Sequence, residues 1–276
     1  LLASSAASDV YKRQGIDPVL QKGQGVACLY ESPLLRECGD IDLCFQDPEA
    51  AARAEQLVRQ NGIRIRKMPD RSIFYLWHGL EVEHHVRLLD LHNPFLQHEA
   101  DKLARTKGCI HMRLAQELEP MTVPSPFLNL LLLDLHILKH TLGRGIGLRQ
   151  LCDMARACYR LHREVNPEEM KNCCRRWGLA RWNPLLHAFL VDCLGLPAAC
   201  LPYEETAPDA HVLLDIVWKG GNFGRYRSDR ETGGRPGWIH KMHTARSFCR
   251  NLRFAAAYAP KEAFWIFADL AKGQLG

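Results

Sequence analysis

The chain has 276 residues, of which 47% are hydrophobic, and its formal net charge is +5. This length suits one large or two ordinary domains, and the apolar content provides for a sizeable core. The charge falls short of the footprint of a committed nucleic-acid binder, although it suits a polyphosphate or an acidic partner. The longest apolar run, Leu128 to Leu138, is interrupted by Asp134 and His136, so it predicts a core helix and not a membrane span.

The cysteines and the first residues bear on cellular context. There are 11 cysteines, scattered without a Cys-x-x-Cys pair, which favours reduced thiols in a cytoplasmic protein. Residues 1–14 lack the basic leader and apolar region of a signal peptide. They resemble translated sequencing-adapter read-through, so we set them aside as non-native. We expect the native N-terminus, with helices beside the sheet, to be missing.

The first half of the chain alternates between strand and helix patterns. From Ile16 the pattern predicts a strand, a glycine turn and a helix to about Tyr30, and residues 40–45 predict a strand. Asp47-Pro48-Glu49 is a helix start, and Asn61-Gly62 is a helix end. Three further strands are predicted at 63–68, 72–77 and 80–88, the last two joined by a hairpin at His78-Gly79.

The second half is predicted to be helical. Residues 94–126 are polar and end in Pro124-Ser125-Pro126, so we place a domain boundary near Val123. Beyond it, helix starts are predicted at Pro126, Gly147, Asn166, Asn183, Pro208, Trp238 and Pro260. The sequence therefore predicts an α+β protein: a small mixed β-sheet domain at 15–122, followed by an α-helical domain at 123–276.

Two stretches in the first domain carry candidate chemistry. Asp40 and Asp42 lie two apart on a predicted strand and so share one face, where paired carboxylates suit Mg²⁺. The segment Lys22-Gly23-Gln24-Gly25 follows an apolar strand, and such a turn into a helix lets backbone approach a phosphate. A lone Asp-x-Asp is also common in loops, where Asp40 would merely end a turn.

A third carboxylate is supplied by the predicted strand 80–88. Glu83 and His85 share one strand face, and Glu81 has the same parity and is an alternative to Glu83. If this strand lies beside the acidic strand, we expect Asp40, Asp42 and Glu83 to converge on one sheet face. Otherwise Glu83 belongs to a solvated strand face.

Taken in order, these pieces resemble the nucleotidyltransferase superfamily of DNA polymerase beta and the aminoglycoside nucleotidyltransferases. One branch is especially similar, the uncharacterised bacterial nucleotidyltransferase family common in gut Bacteroidales. The resemblance covers about 19–270 and rests on ordered pieces at Lys22-Gly23, Leu35 to Asp42, Val82 to His85, Leu135 to His140, Gly145 to Asp153 and Gly221 to Gly224.

The resemblance implies transfer of NMP from an NTP to a hydroxyl with Mg²⁺ or Mn²⁺. Asp40 and Asp42 would bridge the metals, and Glu83 would complete the site and orient or deprotonate the acceptor hydroxyl. Nucleotide binding would fall to Lys22, Gly23, Gln24, Gly25 and Arg36. The pair Gly23-Gln24 departs from the usual Gly-Ser or Gly-Gly and lacks the hydroxyl often placed on phosphate oxygen.

The resemblance also suggests an acceptor wall in a cleft between sheet and helices, formed by His85, His136, His140, Arg149 and Asp153. His136 and His140 are spaced to bind zinc, but no third ligand is evident, so a structural or substrate-facing role is favoured. Arg149 and Asp153 have the spacing of a helix salt bridge. His85 is either a partner of Glu83 or simply polar and exposed.

Three hypotheses follow from the sequence. The first is an active nucleotidyltransferase whose acceptor is a small molecule, a protein side chain or an RNA end. The second is a toxin-type enzyme acting on RNA, with a basic cleft at Arg64, Arg66, Lys67 and Arg71. The third is a degenerate nucleotide-binding module. For an active site, we expect carboxylate repulsion to raise at least one pKa, and Asp42→Asn to leave the metal-free fold intact or slightly more stable.

Overall fold

The computed structural model describes residues 11–68, 71–113, 120–142, 145–220 and 252–271. The chain divides into two compact units. Unit 1 contains Leu1–Asp90 and Glu99–Leu132, and unit 2 contains Leu91–His98 and Leu133–Gly276. The domain boundary near Val123 stays a prediction.

A mixed seven-stranded sheet forms the centre of unit 1, in the order β3-β4-β5-β2-β1-β7-β6. Strand β1 is antiparallel to β2 and parallel to β7, while β2 is parallel to β5. With the helices below, this confirms the predicted α+β class. The strands are β1 Val19–Gln21, β2 Asp40–Cys44, β3 Arg66–Lys67, β4 Ile73–Trp77, β5 Leu80–His85, β6 Cys109–Met112 and β7 Met121–Pro124.

The helices near these strands begin where local chemistry favours them. They are α1 Lys22–Ala27, α2 Pro48–Gln60 and α3 Pro94–Lys107. The Asp47 carboxylate accepts hydrogen bonds from the backbone N–H groups of Glu49 and Ala50, both at 3.1 Å, which confirms it as the cap of α2. Gly62, with φ of +73°, ends that helix as predicted.

Two parts of the predicted element pattern were wrong. The strand expected at 63–68 is reduced to β3, because the Ile63 N–H still bonds the Val58 carbonyl of α2 at 3.3 Å and continues the helix end. The segment 94–126, read as transitional, contains α3, β6 and β7. The missed start signal was Asn93, whose side chain accepts from the Phe95 N–H at 3.0 Å.

One face of the sheet packs the core of unit 1. Its buried side chains include Leu20, Ile41, Leu43, Tyr75, Val82, Met121 and Val123. Tyr11 also belongs to this core: it is 3% exposed, and its hydroxyl bonds that of Tyr75 at 2.6 Å and His84 Nε2 at 3.1 Å. Burial lowers the pKa of His84 to about 3, so the imidazole is neutral there. Tyr11 is thus part of the packed fold, although it belongs to the segment 1–14 that the sequence analysis interpreted as non-native. That interpretation of the segment stays a prediction.

The later helices confirm most predicted starts. They are α4 Pro126–Leu142, α5 Leu148–Leu161, α6 Pro167–Arg176, α7 Trp182–Asp192, α8 His211–Gly220 and α9 Pro260–Ala271, and residues 252–258 are also helical. Gly147 and Asn166 cap α5 and α6 as expected. The helix predicted at Trp238 and the Gly221 to Gly224 segment lie outside the described residues.

The core of unit 2 contains a buried polar network among large aromatic residues. The Asp134 carboxylate on α4 accepts hydrogen bonds from Trp182 Nε1 and Asn183 Nδ2, each at 2.5 Å. All three residues are at most 2% exposed. Burial raises the pKa of Asp134 to about 6, against the opposing effect of its two donors.

Within the described residues, no helix combines the length and the apolar character that a membrane crossing requires.

Candidate active site

The segment after β1 makes a tight turn into α1, as the sequence predicted. Lys22 has a φ of +43°, which is uncommon for a residue with a side chain, and Gly23 departs from helical geometry inside α1. A Cβ atom on Gly25 would lie 2.9 Å from the Leu20 carbonyl oxygen. Position 25 therefore admits only glycine without a shift of the backbone.

The acidic strand β2 lies directly beside β5. In this parallel pair Asp42 is in register with Glu83, and Asp40 with Glu81. Because side chains alternate along a strand, these carboxylates and His85 share the face opposite Ile41, Leu43 and the rest of the core. The structure thus brings Asp42 and Glu83 together on one sheet face.

Asp42, Glu83 and His85 form a compact group. His85 Nε2 lies 2.6 Å from Asp42 Oδ1 and 3.8 Å from Glu83 Oε2, and one ligand atom from each residue lies within 4.8 Å of the others. Ligands of one Mg²⁺ at about 2.1 Å would lie within about 4.2 Å of one another, so small side-chain movements suffice to close the group. The donor set fits a divalent cation.

The third donor of this group is an imidazole. Asp40 is exposed at the first position of β2. Among the described residues, it does not belong to the group formed by Asp42, Glu83 and His85. With His85 as its third member, the set has two carboxylates and one imidazole. Such a set is softer than three carboxylates and accommodates Mn²⁺ as well as Mg²⁺. The sequence signal for His85 was its position two residues after Glu83, which places both side chains on the same face of the strand.

Lys22 is closely associated with this group. Its Nζ lies 3.0 Å from Asp42 Oδ1 and 3.4 Å from His85 Nε2, and its side chain is 14% exposed. Burial alone would raise the pKa of Asp42, but the charge of Lys22 and the contacts with His85 and Lys22 hold that pKa well below its usual range. Asp42 is therefore not a carboxyl whose pKa is raised by its neighbours, and the expected rise in at least one pKa stays a prediction.

Glu83 is held in place by a residue that the sequence did not single out. Ser72, just before β4, donates its hydroxyl to Glu83 Oε1 at 2.9 Å. Ser72 is 1% exposed, so this donor is fixed, while the Glu83 side chain keeps 27% exposure. Glu83 is therefore both oriented and accessible. The predicted hairpin pairs β4 with β5, and this pairing was the signal from which the closeness of Ser72 to Glu83 could have been predicted.

The remaining predicted nucleotide-binding residues line the turn. Arg36 Nη1 donates to the Glu37 carbonyl at 3.0 Å, and it would lie 3.9 Å from a Cβ atom on Gly23, which places the guanidinium beside the turn. Gln24 is 4% exposed, and its buried Oε1 has no hydrogen-bond partner among the described residues. A cation and a buried polar group thus flank Gly23.

The predicted acceptor-wall residues outside the sheet belong to unit 2. His136 and His140 on α4 have ring centroids 4.4 Å apart at an edge-to-face angle. On α5, Asp153 is 3% exposed and Arg149 is half-buried. In the portion of the chain described, none of these four joins a three-residue cluster of metal-binding side chains. The acceptor wall and the predicted cleft stay predictions.

A mixed sheet with a glycine turn and neighbouring acidic strands is the arrangement expected of a nucleotidyltransferase. The model of the family described as uncharacterised nucleotidyltransferase matches residues 8–194, about two thirds of the chain, including the sheet and the whole candidate site. The chain therefore belongs to this family, and family membership indicates a transferase. A search of curated proteins returned no match.

Proposed function

We propose that this protein transfers a nucleoside monophosphate from an NTP to a hydroxyl acceptor, with Mg²⁺ or Mn²⁺ as cofactor. The observation that carries the proposal is the grouping of Asp42, Glu83 and His85 within 4.8 Å, in contact with Lys22 of the glycine turn. Nucleotidyl transfer displaces pyrophosphate in line at the α-phosphate, so charge builds on the attacking and leaving oxygens. A carboxylate-rich face beside a phosphate-accommodating turn suits that reaction.

Asp42 and Glu83 would hold the metal, and His85 would either complete the ligand set or orient Asp42 through their 2.6 Å contact. Asp40 keeps its proposed role as a further metal carboxylate, because it shares the same face at the exposed start of β2. A bound divalent cation would neutralise the negative charge that builds on the phosphate oxygens. The protein's part is to place the carboxylates side by side.

Glu83 would also orient or deprotonate the acceptor hydroxyl, because it is accessible while Ser72 fixes one of its oxygens. The backbone at Gly23, Gln24 and Gly25 would accommodate the triphosphate, and Arg36 would offer it a positive charge. Lys22, whose Nζ lies 3.0 Å from Asp42 Oδ1, would supply a second cation to the triphosphate.

Several finer inferences rest on the sequence. His136, His140, Arg149 and Asp153 would form part of the acceptor wall, and the helical domain would begin near Val123. The free cysteines among the described residues favour a cytoplasmic location. The ordered motif pieces favour the bacterial branch of the family found in Bacteroidales.

A second candidate, a toxin-type enzyme acting on RNA, is favoured by one edge of the sheet. Arg66, Phe74 and Glu83 are in register on three adjacent strands and so share one face. The Arg66 guanidinium carbon lies 4.9 Å from the centre of the Phe74 ring. Aromatic rings and guanidinium planes stack on exposed RNA bases, so this edge suits an RNA end presented to Glu83.

The proposal is tested by incubating the protein with each α-labelled NTP, Mg²⁺ or Mn²⁺, and a bacterial lysate. We expect label in an acceptor, and sensitivity of that product to ribonuclease or protease identifies its class. Glu83→Gln should lower the transfer rate by about 100-fold or more, because the general base is lost. Glu81→Gln, two residues away on the same face, is the matched control. Bound nucleotide without any labelled product would support the degenerate module instead.

A further inference from the structure

Lys22 lies within the same side chains that would hold the metal. Its ammonium nitrogen is 3.0 Å from Asp42 Oδ1 and 3.4 Å from His85 Nε2. The same oxygen, Asp42 Oδ1, is also the one that His85 contacts at 2.6 Å. Two of the three donor residues are therefore already engaged with a cation supplied by the chain itself.

The backbone holds Lys22 in this position. Gln21, just before it, is 1% exposed and donates its side-chain amide to the Arg87 carbonyl at 3.2 Å. Lys22 itself has a φ of +43°, a conformation that residues with a side chain adopt only where the surroundings impose it. Asp42 is in register with Gln21 on the neighbouring strand, so the turn brings the lysine back over Asp42.

A divalent cation and an ammonium group compete for one carboxylate oxygen, because the two positive charges repel each other. Metal binding to Asp42 Oδ1 is therefore weakened while the Lys22 ammonium stays in contact with it. The lysine side chain has a flexible four-carbon stem, so it can move without a change in the backbone. A polyphosphate beside the turn would give the ammonium a new anionic partner.

We propose that Lys22 is an internal counter-cation that keeps divalent metal off Asp42 until a nucleotide draws the ammonium away, so that metal and nucleotide bind together. This inference rests on the proposed function. It assigns Lys22 a positioning role beyond phosphate binding. Its consequence is positive coupling between the metal and nucleotide affinities, which must be reciprocal.

The test is Mn²⁺ binding to the full chain, measured by electron paramagnetic resonance of free Mn²⁺ without nucleotide. Lys22→Met keeps the length of the side chain and removes the charge. We expect it to bind Mn²⁺ about 10-fold more tightly than the wild type, a typical size for coupling between two sites. Lys171→Met is the matched control, because Lys171 pairs with Glu205 at the same 3.0 Å distance but far from the candidate ligands in sequence. It should bind Mn²⁺ as the wild type does.

A second series adds a non-hydrolysable NTP analogue. Nucleotide should tighten Mn²⁺ binding more in the wild type than in Lys22→Met, because only the wild type must release its lysine. Lys22→Gln provides a second neutral side chain, and a thermal melt confirms that each variant is folded. If both neutral variants bind Mn²⁺ no more tightly than the wild type while the wild type transfers nucleotide, this inference is overturned and the proposed function stands. If no form binds Mn²⁺ under any condition, both are overturned.

Discussion

Asp42→Asn is expected to abolish nucleotidyl transfer and to destabilise the protein even without metal. The Asp42 side chain is 5% exposed and pairs with Lys22, whose side chain is 14% exposed. Removing the carboxylate charge leaves a largely buried ammonium without its partner, which costs roughly 3–5 kcal/mol. This replaces the sequence-based expectation of an unchanged or slightly stabilised fold, which considered only repulsion between carboxylates.

The measurement is urea unfolding of the wild type and Asp42→Asn without metal, together with a transfer assay. Asp192→Asn is the matched control: it makes the same change at an exposed position outside the candidate site, and should alter the unfolding free energy by less than about 0.5 kcal/mol. Because the pKa of Asp42 is held below its usual range, its contribution is present above about pH 4 and is lost as the pH falls further. Equal stability of wild type and Asp42→Asn at pH 7 would contradict the ion pair.

The second large effect is expected at Asp134 in unit 2. Asp134→Ala leaves the buried Trp182 and Asn183 donors without their acceptor, which costs on the order of 3 kcal/mol at pH 5. The folded-state pKa of Asp134, about 6, lies above the ordinary aspartate pKa of 3.8. Its contribution to stability is therefore complete below pH 3.8 and declines as the pH rises through 6.

The pH dependence provides the sharper readout, because alanine does not titrate. The difference in unfolding free energy between wild type and Asp134→Ala should shrink by roughly 3 kcal/mol between pH 4 and pH 7.5. Urea unfolding followed by tryptophan fluorescence measures it, with the exposed Asp192→Ala as a control expected to change stability by less than about 0.5 kcal/mol. A difference that grows with pH would show that Asp134 is not a buried acid of raised pKa.

Much of the fold follows from local signals in the sequence. The Asp47-Pro48 and Asn166-Pro167 starts each supply a capping side chain and a proline that fits the first turn, and both helices begin there. The His78-Gly79 hairpin follows from backbone chemistry, since both residues adopt positive φ, at +48° and +81°. Signals of this kind depend on a few adjacent residues and need no knowledge of tertiary contacts.

The candidate site could be predicted only in part. Strand parity alone placed Asp42 with Asp40, and Glu83 with His85, on common faces. The register that sets Glu83 beside Asp42 depends on a parallel pairing between residues 41 positions apart, which no local pattern fixes. The position of Lys22 depends on its unusual φ, and the burial of Tyr11 depends on contacts with Tyr75 and His84 far along the chain.

The most direct test of the proposed nucleotidyl transfer is to run parallel reactions with an NTP labelled at its α-phosphate and one labelled at its γ-phosphate. In both, pyrophosphate release is measured alongside acceptor labelling. We predict that only the α-label reaches the acceptor, that one pyrophosphate is released for each label transferred, and that Asp42→Asn shows neither. Transfer of the γ-label, or α-labelling that persists in Asp42→Asn, would contradict the account.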